Sequence, residues 1–181
     1  TVAASVGRCG LDMPGNIWKR RGDIHQLRRA PADAADAYSR ALAAYAAVGL
    51  DNAGRLAVVR FGLASSYARG GQFDRADPLF DAATRDYETT YGSRSVQLAQ
   101  LLAERSLLLD GVAGRAAEEE SLARRSLDLL ADRAEANFER ANALMAEGLA
   151  ERAQGRRDGA KLAIQQALVS LESVSGPKSL D

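Results

Sequence analysis

Apolar positions along the chain recur at helical spacing. The stretch Leu63 to Gly92, LASSYARGGQFDRADPLFDAATRDYETTYG, shows this most plainly. A small-residue helix runs into Gly70-Gly71, and a second begins at Phe73 with Ala76, Leu79, Phe80, Ala83 and Tyr87 on one face. Adjacent glycines end a helix cheaply because they accept left-handed backbone angles. The stretch therefore predicts a helical hairpin.

The pattern returns at a fixed interval. Tyr38 to Phe80, Ala41 to Ala83 and Tyr45 to Tyr87 are each 42 residues apart. Eighty-four residues beyond the central copy, Ala76 meets Ala160, Phe80 meets Ile164 and Ala83 meets Ala167. Such self-similarity marks a repeat architecture. It predicts an all-α chain of about four antiparallel helix hairpins over residues 16–49, 53–91, 95–131 and 137–173. Residues 1–15, ending in the turn signal Met13-Pro14-Gly15, read as an N-terminal tail, with Asn16 as N-cap of a helix starting at Ile17. Pro31 fits the first turn of the second helix. The third hairpin is the most degenerate: Glu119 and Ser126 stand where other copies have alanine. Residues 174–181 read as the opening of a truncated fifth repeat or a tail, because Gly176-Pro177-Lys178-Ser179-Leu180 falls in register with Gly92-Ser93-Arg94-Ser95-Val96. That end, and the missing initiator Met, predict a piece of a longer chain.

Composition agrees with helices. Hydrophobic residues make up 46% of the 181 and aromatics 6%, so the core must be largely Ala and Leu. The formal net charge is zero, which argues against a nucleic-acid or anionic-membrane binder. The one concentration of positive charge is Lys19-Arg20-Arg21 with Arg28-Arg29, beside Trp18. No stretch approaches the roughly 20 apolar residues of a membrane span, nor does the start have a signal-peptide form. The Ala/Arg-rich bias suggests a bacterial source, and the lone Cys9 fits a reducing, cytoplasmic setting.

Candidate chemistry is sparse. Cys9 and His25 are the only residues of their types and lack an orienting third group, so catalysis by the pair is not expected. Glu118-Glu119-Glu120 point in different directions on a helix and cannot converge on one metal; near a helix start they complement its dipole. The glycine turns lack the Gly-Lys-Ser/Thr continuation of a phosphate loop. No catalytic residue, metal or cofactor is expected.

The repeat resembles the tetratricopeptide repeat. Trp18, Gly22, Ala34, Tyr38 and Ala41 fall on its pattern in the first copy, with Arg21 and His25 as departures. Leu63, Ala64, Tyr67, Ala76, Phe80 and Ala83 fit in the second, where Arg60 replaces the tryptophan, and Leu144, Gly148, Ala160, Ile164 and Ala167 fit in the fourth. The 42-residue spacing is similar to the longer repeats of kinesin light chains and of many bacterial signalling proteins. The resemblance implies a right-handed superhelical solenoid whose first helices line a concave groove. By the family pattern that groove is lined by Asn16, Lys19, Asp23 and Gln26, then Val58, Phe61 and Ser65, then Leu101, Glu104 and Leu108, then Asn142, Met145, Leu149 and Arg152. It implies a non-enzymatic scaffold holding a peptide or helix of a protein partner, with homo-oligomerisation left open. The alternative is the sensing or regulatory arm of a larger bacterial signalling protein: a transcription regulator, a signalling ATPase or a caspase-like protease. Asp23 and Val58 stand where the lysine-asparagine carboxylate clamp of chaperone-tail binders needs other residues, which excludes that subtype.

Overall fold

The computed structural model describes residues 13–50, 52–133 and 135–175. Among them are eight α-helices and no strand: α1 (Met13–Leu27), α2 (Pro31–Ala47), α3 (Ala53–Arg69), α4 (Phe73–Tyr91), α5 (Val96–Leu107), α6 (Ala116–Leu130), α7 (Asn137–Ala153) and α8 (Arg157–Ser175). The chain divides into two compact units at Thr90/Tyr91. Cys9 and the expected repeat opening at 176–181 lie outside the described residues.

In the first unit, α1 and α2 pack as an antiparallel pair. A Cβ on Gly22 would lie 2.6 Å from the Tyr38 ring, and one on Gly15 would run into Tyr45. Contact partners thus ascend one helix while descending the other. Glycine at both points lets each ring lie directly on the α1 backbone. Gly62 of α3 approaches Tyr38 equally closely, at 2.6 Å, so that ring is held between backbones of two helices. Ala34, Ala41, Tyr38, Tyr45, Val59 and Leu63 are buried together, with Trp18 and Leu42 packed against them. Phe61 of α3 meets Phe80 of α4 at 5.6 Å between ring centroids, tilted by 59°.

The helix ends follow local chemistry. Asn52 caps α3 by accepting from the Arg55 amide at 2.9 Å, and Ser95 caps α5 through the Leu98 amide at 3.2 Å. Gly71 ends the α3 turn at φ +73°, as the double glycine predicts. The start of α1 is different from expectation. Met13-Pro14-Gly15 is helical rather than a turn, with Pro14 tolerated in the first turn. Asn16 consequently lies inside α1, and its Oδ1 accepts from the Tyr45 hydroxyl at 2.8 Å instead of capping.

In the second unit, α5 pairs with α6, α7 packs on both, and α8 closes on α7. The departures flagged at Glu119 and Ser126 lie inside the α5/α6 hairpin. Ser126 Oγ donates to the Ala99 carbonyl at 2.6 Å, and Ser106 Oγ donates to the Glu119 carbonyl at 2.7 Å. Both serines are buried. Two side chain-to-backbone bonds thus join α5 and α6 where alanine contacts serve other pairs. Gly148 of α7 sits against Ile164 and the Ala160 carbonyl of α8, the close approach that its place in the repeat predicts.

Candidate partner-binding surface

In the first unit, the polar residues expected in the groove are tied to one another. Lys19 Nζ pairs with Asp23 at 2.8 Å, and Asp23 Oδ1 accepts from the Tyr38 hydroxyl at 2.8 Å. Burial, and then the Asp23 carboxylate, push the Tyr38 hydroxyl well above the ordinary phenol range, and the same causes raise Tyr45. Both therefore act as fixed donors. Gln26 reaches across to α3, its Nε2 donating to the Gly62 carbonyl at 3.0 Å. Val58 and Phe61 are half-buried. Ser65 is only 5% exposed, and its Oγ has no hydrogen-bond partner among the described residues.

The second unit is more open. Leu101 is 2% exposed. Glu104 accepts from Gln100 at 3.4 Å, and Arg152 Nη2 pairs with Asp110 at 2.9 Å. Leu108 and Asn142 are half-buried. Met145 is 42% exposed, and it lines a wholly apolar pocket of about 160 Å³ with Leu149, Ile164, Ala167, Leu168 and Leu171. Ser65 and Leu101 sit on the inward side of their helices and offer a partner almost no surface, so they belong to the packing. The expected list also omits Ile164, Leu168 and Leu171, although their i, i+4, i+7 spacing on α8 marks a second apolar stripe.

The acidic run separates as helix geometry requires. Glu118 binds Arg105 at 3.1 Å and Arg115 at 2.6 Å. Glu120 binds Arg124 at 2.5 Å and Arg156 at 2.7 Å. Hydrogen bonds from Gln154 and Arg156 hold the Glu120 carboxyl below its usual range. Glu119, 1% exposed, points inward, and its Oε1 has no hydrogen-bond partner among the described residues. Burial, then the Asp110 charge, push it up to about 7 against the partial opposition of Arg152. Burial likewise raises Glu147. His25 faces Asp33 at 3.9 Å. Among the described residues no group of three or more His, Cys, Asp or Glu could hold a metal ion, and no helix is long and apolar enough to cross a membrane.

These hairpins define a tetratricopeptide-like helical-repeat fold. The fold is that of a solved structure, BtubC (BKLC) from P. vanneervenii, with a TM-score of 0.78 over 92% of this chain at 17% sequence identity. The chain spans 66% of the length of that structure. No protein-family model matches the sequence, and a search of curated proteins finds no match.

Proposed function

We propose that this chain is a non-enzymatic scaffold that holds a peptide or helix of a protein partner, with Met145 and Leu149 at the centre of the contact. The observation that carries the reading is the apolar pocket they form with Ile164, Leu168 and Leu171 in the second unit. Large apolar side chains left open side by side, in a concave setting, suit the apolar face of a helix. The helical-repeat fold supports the class of activity. The polar residues of the first unit fit a scaffold too: Asp23 and Asn16 hold α1 to α2 through Tyr38 and Tyr45, and Lys19 is paired with Asp23 within α1.

The test is selection of binding peptides from a displayed library on the immobilised chain. Selected peptides should carry apolar residues at helical spacing and should lose affinity for Met145→Glu and for Leu168→Glu. Far-UV circular dichroism of both variants should match the parent, because both side chains are well exposed. Peptides that bind the variants as tightly as the parent would place the contact on another surface.

A further inference from the structure

The structure separates the basic concentration of the sequence into parts with different duties. Lys19 is paired with Asp23. Arg21 stacks on one face of the Trp18 ring at 4.6 Å, and Arg40 approaches the same ring at 4.7 Å. Arg29 does neither. It lines a cavity of about 450 Å³ in the first unit together with Arg69 at the end of α3, and Gln26, Ala30, Pro31 and Ser66 complete the wall. No carboxylate lines this cavity. Both arginines are exposed, and neither guanidinium has an ion-pair or hydrogen-bond partner among the described residues.

The backbone of Arg29 is equally unusual. It has φ +55°, the sole positive φ at a non-glycine among the described residues. Its amide bonds to Gln26 O and the Ala30 amide to His25 O, both at 3.0 Å, the closing pattern of a helix end that favours glycine. The repeat register puts Arg29 where the second and fourth hairpins have Gly71 and Gly155, at φ +73° and +77°. Arginine thus stands where the fold favours glycine. At the start of the neighbouring helix the N-cap Ala30 supplies no side-chain cap, Pro31 has no N–H, and the Asp33 carboxylate stands in the first turn, so the two arginines alone supply the positive charge of the cavity.

We propose that Arg29 and Arg69 form a binding site for a phosphate monoester, carried by a phosphorylated segment of a protein partner. The proposal rests on the scaffold reading above. Two guanidinium groups without a counter-charge match a dianion, which a single carboxylate would leave half-neutralised, and their planar donor forks suit phosphate oxygens. An adjoining cavity of about 520 Å³ shares Pro31 and Ser66 and continues past Asp36, which is paired with Arg40, and past Ser39 and Tyr67 to Arg75. It gives the polypeptide beside the phosphate a course to follow, which a free ion does not need.

The experiment titrates the full chain at low salt with three probes: inorganic phosphate, a short Gly/Ser peptide bearing one phosphoserine, and its unphosphorylated twin. Phosphorus NMR and calorimetry read the binding. The phosphopeptide should bind saturably and more tightly than inorganic phosphate, and the twin should not bind. Arg69→Gln should weaken phosphopeptide binding by roughly tenfold, as loss of a charge-assisted contact does. Arg29→Gly should weaken it similarly while raising Tm, since it relieves the left-handed backbone; a purely structural arginine would change Tm alone. Met145→Glu should leave phosphate binding untouched, so failure here and failure of the apolar contact are read separately. No saturable phosphate binding, or full binding by Arg29→Gly and Arg69→Gln, overturns the site. Equal affinity for inorganic phosphate and phosphopeptide overturns its assignment to a protein partner.

Discussion

Burying the Glu119 carboxyl in the α5/α6 hairpin favours its neutral form, since desolvation penalises the charge and Asp110 repels it. The unfolded carboxyl titrates at its ordinary 4.5 and the folded one at about 7, so the folded chain holds the proton more tightly. This contribution to stability is full below pH 4.5, declines as pH rises toward 7, and is flat above it, with a total span of at most ~3 kcal/mol. Glu147, raised by burial, adds a decline of the same sign. Glu120 works oppositely, because its lowered value gives stability that is lost on acidification. Glu119→Gln should therefore match the parent in mild acid and exceed it by about 2 kcal/mol in mild alkali. Denaturant unfolding across that range checks this; equal slopes for parent and variant would contradict it. Gly22→Ala belongs to the same scale. Alanine improves helix propensity by about 1 kcal/mol, yet its Cβ would meet the buried Tyr38 ring at 2.6 Å. Overpacking prevails, and a net loss of roughly 1–3 kcal/mol is expected in thermal melts.

At the scale of elements, α4 carries a cost in its own interior. Pro78 lies inside Phe73–Tyr91 on the exposed side and removes one intrahelical hydrogen bond. Pro78→Ala should stabilise the first unit by about 1–2 kcal/mol, after allowing for the greater entropy of the unfolded alanine chain. A melt unchanged or lowered would mean that the proline ring is packed to advantage. The α5/α6 hairpin behaves oppositely. Ser126→Ala restores the residue found in register at Ala41, Ala83 and Ala167, but it deletes the bond to Ala99 O. A loss of about 1 kcal/mol is expected, less than a buried unpaired acceptor would cause, because Ala99 O sits within a helix.

Over the whole molecule, the fold was legible because helical period and 42-residue period reinforce one another across several copies. Alanines at 34, 41, 76, 83 and 160 announced close helix packing, and all are buried. The candidate surface was less legible. Helical spacing places a residue on a face but does not say what covers that face, which is why Leu101 and Ser65 went to the packing and Leu168 to the surface. The start of α1 was missed because Pro-Gly is an ordinary turn signal. The signal that could have found it is the seven-residue step from Gly15 to Gly22, matched by Tyr38 to Tyr45. The Arg29–Arg69 cavity joins residues 40 apart and depends on a backbone angle that sequence does not reveal.

The slot that holds Tyr38 has a consequence for how such chains can diverge. Its ring touches Gly22 on one side and Gly62 on the other, so three positions share a single steric condition. Any side chain gained at 22 or 62 needs a smaller residue at 38, and a smaller residue at 38 alone leaves a void between α1 and α3. Each single exchange should lower stability, and the matched exchange should restore it. Descendants of this sequence should therefore keep the glycine-tyrosine-glycine set or replace it together, and those three alignment columns should change in step.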